Sequence, residues 1–304
     1  MPFDATDIRS ELTGGSRSTT PPSQAASADY LRFYDLPGEQ LEGHLRWRGR
    51  SQNLVVDLLD VSADCVIALP DGPDETGLLL PEPSVGAVVT AGGEESDIAG
   101  ETLTFIPPGP ATVRFPSPGR VVMLSTTRTP GLTDQAINAA DYAVDHPNIP
   151  PLTPWPEPRD GYRIRTYRLD VPTLGTPPFR LFRCSSFMVN YIDPRTGPRD
   201  TTKMSPHDHD DFEQLSLILD GEYVHHLRWP WTTDLDQWRE DEHERLGAPS
   251  LTVIPPPTIH TSQAIGTGRN HLIDIFSPPR RDFSTKEGWV LNAEDYPMPE
   301  DAEQ

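Results

Sequence analysis

Short apolar runs separated by proline and glycine recur along the whole chain. They occupy residues 54–59, 87–90, 103–106, 121–124, 215–219, 251–254 and 272–276. Short runs that are bounded by turn-forming residues are typical of an all-β sandwich or barrel. The pattern therefore predicts an all-β protein.

Part of the first half of the chain recurs in the second half. Residues 103–114 (LTFIPPGPATVR) align without a gap with residues 251–262 (LTVIPPPTIHTS), at an offset of 148 residues. Upstream, residues 86–94 (GAVVTAGGE) align with residues 214–222 (QLSLILDGE) at an offset of 128 residues. The order of the pairs is preserved, as a tandem duplication of one β unit requires. We therefore predict two similar barrels.

The compositional changes along the chain predict where these barrels begin and end. A chain of 304 residues is long enough for two domains. The predicted domains are 29–150 and 151–293, and they lie between a disordered tail at 1–28, rich in Ser, Thr, Gly and Ala, and an acidic tail at 294–304.

Charge and cysteine content limit the classes of binding partner and indicate the cellular compartment. The formal charge of −21 repels nucleic acid phosphates and anionic lipid surfaces, so neither partner is expected. The two cysteines do not form a disulfide framework, and no apolar run approaches the ~20 residues of a membrane span. The N-terminus does not read as a signal peptide. We therefore expect a cytoplasmic protein that acts on a small molecule.

The segment SPHDHDDFEQLSLILDG at residues 205–221 concentrates groups that can bind a metal. In a regular strand His207, His209 and Glu213 share one face. His260 follows the Pro-Pro-Pro turn of the second repeat copy and is the best-placed fourth donor. Three imidazoles and a carboxylate suit a divalent transition metal, namely Fe, Mn, Ni, Co, Cu or Zn. The competing interpretation is a solvated acidic loop.

These motifs resemble those of the cupin superfamily. Its first motif is a His-x-His followed after three or four residues by Glu, and the segment from His207 to Glu213 matches its donors. Its second motif, Pro-x-Gly-x-x-His, is matched by PPPTIH at residues 255–260, although Pro257 replaces the glycine. The resemblance implies two tandem double-stranded β-helix (jelly-roll) barrels, one metal per chain and a homo-oligomer, often a dimer. Other departures lie at turn positions: Thr201, Gly221 and Ala264.

The repeat predicts that only one barrel binds metal. Carried across the two alignments, the four donors of the second half correspond to residues without donor imidazoles or carboxylates: Leu79, Pro81, Val85 and Thr112. We therefore predict a bicupin with a degenerate first barrel, which still leaves room for a small-molecule pocket in that barrel.

Other residues carry weaker signals. Lys203 shares strand parity with His207 if the strand is regular. Ser262 follows His260 at the same parity and would bind substrate through its hydroxyl. His225 and His226 are neighbours on a predicted strand, so only one of them can face inward. Trp229 belongs to an apparent insertion after this strand, which is either a lid over the site, where Trp229 would bind substrate, or a solvated hairpin extension.

The ligand set allows three classes of function. A redox-active metal, with Fe(II) favoured, would support a dioxygenase, and an aromatic-walled site fits this class without a separate base. A Lewis-acidic metal would support an isomerase of a keto-sugar or sugar acid through an enediolate, with Lys203, His225 or His226 as the base. The third class is a non-catalytic small-molecule-binding cupin. The sequence favours the dioxygenase narrowly.

Overall fold

The computed structural model describes residues 24–172 and 179–300, and these residues form an almost entirely β structure. The strands of the first part are β1 (Asp29–Leu31), β2 (Glu39–Leu41), β3 (His44–Arg50), β4 (Leu54–Val61), β5 (Cys65–Leu69), β6 (Thr76–Leu80), β7 (Ala87–Ala91), β8 (Glu94–Ile98), β9 (Thr102–Ile106), β10 (Ala111–Phe115) and β11 (Gly119–Thr126). The later strands are β12 (Arg165–Arg168), β13 (Phe179–Arg183), β14 (Met188–Ile192), β15 (Arg195–Thr196), β16 (Glu213–Asp220), β17 (Glu222–Arg228), β18 (Glu242–Gly247), β19 (Ser250–Ile254), β20 (Ile259–Ala264) and β21 (Arg269–Ser277).

Within residues 24–172 and 179–300, helical structure is confined to single turns. One α-helical turn, α1, spans Arg281–Ser284, and short 3-10 turns cover Phe33–Asp35, Thr133–Gln135, Ala139–Tyr142 and Leu235–Gln237. None of the described helices is long and apolar enough to cross a membrane. The all-β prediction is confirmed.

In the part of the chain that the structure describes, four antiparallel sheets build two barrels. The first barrel combines a seven-stranded sheet in the order β12-β9-β6-β11-β4-β3-β2 with a four-stranded sheet in the order β5-β10-β7-β8. The second barrel combines the order β1-β19-β16-β21-β14-β13, with β15 added on β21, and a three-stranded sheet in the order β18-β17-β20. The prediction of two tandem barrels is confirmed.

The barrels exchange an edge strand. β1 lies at the start of the chain but pairs with β19 of the second barrel, with Asp29 opposite Val253. β12 lies beyond the predicted boundary at residue 150, yet it pairs with β9 of the first barrel, with Arg165 opposite Phe105. Each added strand covers a sheet edge that would otherwise expose unpaired backbone groups. The sheets therefore cross the predicted domain boundaries, because edge pairing does not follow chain order.

The predicted tails are partly built into the fold. Residues 1–23 and 301–304 lie outside the described residues. Within the predicted tails, Ala25 is buried against Trp229, and Tyr296 is buried in the core between the barrels. The carbonyl groups of Ala25 and Ala26 accept hydrogen bonds from Arg239. These described residues of the predicted tails at 1–28 and 294–304 are therefore packed against the barrels through their apolar side chains.

The largest hydrophobic core lies between the barrels. On β16, Leu215, Leu217 and Leu219 belong to this core, together with residues of β4 and β6 from the first barrel. Alternate residues of a strand point to opposite faces, so Gln214 and Ser216 turn instead towards the interior of the second barrel. Burial of each leucine contributes about 1.5 to 3 kcal/mol. The odd-numbered face of β16 is therefore an inter-barrel face.

The strand register corrects the upstream half of the predicted repeat. Thr76 of β6 pairs with Ile106, and Gln214 of β16 pairs with Ile254. Ile106 and Ile254 are equivalent in the alignment at 148 residues, so Thr76 corresponds to Gln214 and the preceding Glu75 to Glu213. The alignment at 128 residues is wrong, because β7 occupies the place of β17 and not that of β16.

Glu75 and Glu213 make reciprocal contacts across the barrel interface. The Glu213 carboxylate accepts hydrogen bonds from the Ser51 hydroxyl (3.0 Å) and from the backbone amides of Gln52 (3.1 Å) and Asn53 (3.0 Å), in the turn between β3 and β4. The Glu75 carboxylate accepts hydrogen bonds from the amide of Ser185 (3.4 Å), in the turn between β13 and β14, and from the Tyr296 hydroxyl (2.7 Å). Each barrel thus inserts one buried carboxyl group into a hairpin turn of the other.

The free energy of unfolding should depend on pH through Glu75. Burial raises the pKa of this carboxyl group to about 7, from an ordinary value of 4.5. Because the folded state holds the proton more tightly, the contribution of Glu75 is complete below about pH 4.5 and is lost as the pH rises through about 7. A change of this size corresponds to roughly 3 kcal/mol.

Glu75→Gln should remove this dependence, because glutamine stays neutral. Denaturant unfolding of both proteins at pH 5 and pH 8 measures it, and the contributions of other titrating groups cancel in the comparison. Parallel changes in the two proteins would show that Glu75 does not titrate with folding.

Candidate metal centre

His207 and His260 are brought together by the backbone. The two residues form an isolated antiparallel bridge, in which the amide of His207 donates to the carbonyl of His260 (3.1 Å) and the amide of His260 donates to the carbonyl of His207 (2.8 Å). Their ring centroids lie 4.4 Å apart. His260 is buried and His207 is partly exposed. The pairing predicted from the two motifs therefore exists in the fold.

His209 lies beside this pair in a buried position. Its ring centroid is 5.1 Å from that of His260 and 6.4 Å from that of His207, and the ring stacks on Phe212. Within the described residues neither ring nitrogen of His209 makes a well-formed hydrogen bond. A buried imidazole in this condition is a candidate metal ligand.

Electrostatics keep these imidazoles neutral. Burial is the main cause that lowers the pKa of His209 well below 6.5 and the pKa of His260 to about 4, and the guanidinium of Arg280 adds to both shifts. A transition metal binds the neutral imidazole. Protons therefore do not compete for these two rings at neutral pH.

Glu213 does not join the histidines. It lies on the inter-barrel face of β16, where its carboxylate is held by the turn at residues 51–53. Residues 208–212 do not form a regular strand. The predicted alternation of side chains, which would place Glu213 on the same face as His207, is therefore interrupted before Glu213. The residue that faces His260 is Gln214, whose Oε1 lies 3.1 Å from Nε2 of His260.

The three histidines fit a transition metal in donor chemistry and proximity, whereas Glu213 does not. An ion about 2.1 Å from each ligating nitrogen places the centroids of neighbouring rings about 4.5 to 5 Å apart. The separations of His260 from His207 and from His209 agree with this value. Among the described residues no group of three or more His, Cys, Asp or Glu side chains is already arranged to hold an ion. Metal binding therefore requires one imidazole to turn.

A cavity of about 500 Å³ opens beside His207 and His260. Its polar lining includes Gln214, Ser262 and Asp274, and its apolar lining includes Phe179, Phe276 and Phe283. The volume suits a small organic molecule. The mixed lining allows one end of such a molecule to be bound by polar groups and the other by aromatic rings.

Asp274 is a functional candidate that sequence reasoning missed. It lies on β21 and faces the cavity, where burial raises the pKa of its carboxyl group to about 6. Its Oδ1 accepts hydrogen bonds from the Ser216 hydroxyl (2.5 Å) and the Gln214 amide (3.2 Å). The available signal was a single acidic residue within the apolar run of residues 272–276.

The weaker predictions have different outcomes. Ser262 lines the cavity, and its hydroxyl lies 2.8 Å from Nδ1 of His225, which is buried inside the barrel. His226 faces outward and contacts His243. Lys203 is exposed in a loop away from the cavity lining. The predicted strand parity fails for Lys203 because the chain around it forms turns.

The tryptophan-bearing segment is a hairpin extension and not a wall of the cavity. Trp229 is buried at its base beneath the guanidinium of Arg239, 3.4 Å from the ring centroid, and donates a hydrogen bond to Glu242. Trp231 and Trp238 stack on each other in exposed positions. Trp229 does not line the cavity beside His207 and His260, so the structure does not bring this residue to the candidate site.

Comparison with known proteins supports this fold. No protein-family model matches the chain, and no curated protein matches it. A solved structure of an oxalate decarboxylase is 12% identical, covers 85% of this chain and 79% of its own, and superposes with a TM-score of 0.57. A mutant of the Bacillus subtilis oxalate decarboxylase is 13% identical with the same coverage and TM-score. AerE from Microcystis aeruginosa is 10% identical, covers 80% of this chain and 96% of its own, and has a TM-score of 0.54.

The fold is that of a bicupin.

In this two-barrel fold the first barrel offers different side chains at the matching positions. The bridge between His207 and His260 has its counterpart in the pairing of Ala68 with Thr112. The counterpart of Gln214 is Thr76. The first barrel thus keeps the scaffold of the site and carries none of its imidazoles at these positions. In the corrected register the counterpart of His207 is Ala68 and not Leu79.

Proposed function

We propose that the second barrel is the active site of a metal-dependent enzyme that moves a proton on a small oxygenated substrate, as an isomerase of a hydroxyketone or keto-sugar acid does. The observation that supports this class is Asp274, a carboxyl group of raised pKa in the same cavity as His207 and His260. A group with a pKa near 6 is well matched to general base catalysis at neutral pH.

His207, His209 and His260 would hold the metal. When bound, a divalent transition metal would polarise adjacent hydroxyl and carbonyl oxygens of the substrate as a Lewis acid. Manganese and iron are the first metals to test. One of the similar structures is the Bacillus subtilis oxalate decarboxylase, which has Mn(II) centres. That similarity is one of fold, so the choice of metal is part of the proposal.

The surrounding side chains would position the reacting groups. The Ser216 hydroxyl and the Gln214 amide both bond Oδ1 of Asp274 and so fix the plane of its carboxyl group. This leaves Oδ2 to accept the substrate's proton. Ser262 can bond a substrate oxygen, while Phe276 and Phe283 line the same cavity and would pack against the apolar part of the substrate.

A dioxygenase is the second candidate, and the phenylalanine walls of the cavity favour it. Aromatic walls suit a catechol-like or diketone substrate, and a three-histidine centre is compatible with iron. The sequence favoured this class partly because the tryptophans were expected near the site. Since those tryptophans lie elsewhere and Asp274 is a candidate base in the cavity, proton transfer is the better-supported proposal.

Solvent deuterium exchange tests the proposed class. Protein loaded with Mn(II) or Fe(II) is incubated without oxygen in D2O with a panel of hydroxyketones and keto-sugar acids, and proton NMR follows the carbon next to the carbonyl. We expect enzyme-dependent exchange with at least one compound. Oxygen uptake with diketones or catechols, without any anaerobic exchange, would support the dioxygenase instead, and inactivity in both assays would favour a binding protein.

A further inference from the structure

Two hydrogen-bond acceptors face each other in the second barrel. Nδ1 of His260 lies 2.9 Å from the carbonyl oxygen of Thr258. A carbonyl oxygen can only accept, so Nδ1 carries the proton, and Nε2 of the neutral ring presents a lone pair. Nε2 in turn lies 3.1 Å from Oε1 of Gln214.

The orientation of the Gln214 amide follows from its other partners. Its Nε2 lies 3.2 Å from Oδ1 of Asp274 and 3.2 Å from the Ser216 hydroxyl. Oδ1 of Asp274 already accepts from the Ser216 hydroxyl, so it acts as an acceptor; the amide nitrogen therefore belongs on that side and the amide oxygen on the side of His260. The network therefore directs the lone pairs of Gln214 and His260 towards each other.

A metal ion explains this contact. Two donor atoms that lie about 2.1 Å from one ion at right angles are about 3.0 Å apart, close to the separation of Oε1 and Nε2. Resting on the proposed metal dependence, we infer that Gln214 supplies the fourth protein ligand through its amide oxygen, in place of the carboxylate of the cupin motif. Asp274 then positions this ligand from behind.

The first barrel gives independent support for excluding Glu213. Glu75 is the counterpart of Glu213 and also accepts a hydrogen bond from a turn of the opposite barrel. The first barrel has this contact although it lacks the site's histidines. A carboxylate that persists without the histidines has a role in the interface. The sequence is consistent with the reassignment, because the alternative motif spacing of four residues after His209 falls on Gln214.

If the neutral amide of Gln214 replaces a carboxylate as metal ligand, the charge preferred in the bound substrate changes. Three imidazoles and an amide leave the full charge of a divalent ion without compensation by a protein ligand. An anionic oxygen ligand, such as an enolate or a carboxylate, would supply that compensation. The inferred ligand set therefore favours an anionic substrate.

Metal titration of matched variants tests the ligand set. Chelator-stripped wild type, Glu213→Gln and Gln214→Leu are titrated with Mn(II), and free ion is measured by EPR. We expect Glu213→Gln to keep the wild-type Kd within about threefold and Gln214→Leu to weaken it by at least about tenfold. The EPR spectrum of bound Mn(II) in Gln214→Glu should differ from that of wild type, since a carboxylate replaces the amide.

Further controls separate the possible failures. Ser51→Ala removes the hydrogen bond that the first barrel donates to Glu213, and the Kd for Mn(II) should stay unchanged. This variant replaces Glu213→Gln as the test if Glu213→Gln does not fold. Loss of Mn(II) in a folded Glu213→Gln, together with wild-type affinity in Gln214→Leu, would overturn the inference and leave the metal-dependent function standing. Absence of binding in wild type would instead overturn the proposed function.

Discussion

Asp274→Asn should lower kcat for the proton-transfer reaction by about 10² to 10⁴-fold, the usual contribution of a general base. Asparagine keeps Oδ1 as an acceptor for Ser216 and Gln214 but has no basic oxygen to take the substrate's proton. The metal content and KM should therefore change little. Steady-state kinetics and metal analysis on the same preparation measure both quantities.

The pH dependence provides the control for this variant. Because the pKa of Asp274 is raised to about 6, the wild-type kcat should increase as the pH rises through that value and the carboxylate forms. The residual activity of Asp274→Asn should lack this step. An unchanged rate in the variant, or a loss of metal that accounts for the whole loss of rate, would exclude Asp274 as the base.

His260→Ala should abolish stoichiometric metal binding, with an expected loss of affinity greater than about a hundredfold. His260 is the residue that connects the others, because its ring lies between those of His207 and His209 and its Nε2 faces Gln214. Removal of this ring takes one donor away and leaves the others without a common centre. Mn(II) or Fe(II) content after desalting measures the loss.

Thr112→Ala is the matched control, since Thr112 is the counterpart of His260 in the first barrel. This variant should keep both the metal and the activity of the wild type. Tight metal retained by a folded His260→Ala protein would contradict the assignment of the site to the second barrel.

The strands and the histidine pair could be predicted from the sequence because both depend on local pattern. The apolar runs at residues 103–106 and 251–254 became β9 and β19, and the shared proline turn placed β10 and β20 after them. The bridge between His207 and His260 brings the two motifs together, as the resemblance implied.

The remaining features depend on geometry that a local pattern does not contain. Glu213 was assigned to the wrong face because the segment 208–212 is irregular and resets the parity of the strand. The exchange of β1 and β12 is decided by which sheet edge lies nearby in space. Asp274 was missed because an acid in an apolar run becomes informative only when the cavity beside it is known.

The second barrel, and only that barrel, should bind one catalytic metal. The most direct test is the metal content of wild-type protein that has been stripped with a chelator, incubated with excess Mn(II) or Fe(II), and desalted. We predict one ion per chain, accompanied by a rise in melting temperature. The absence of bound metal, or two ions per chain, would contradict the account.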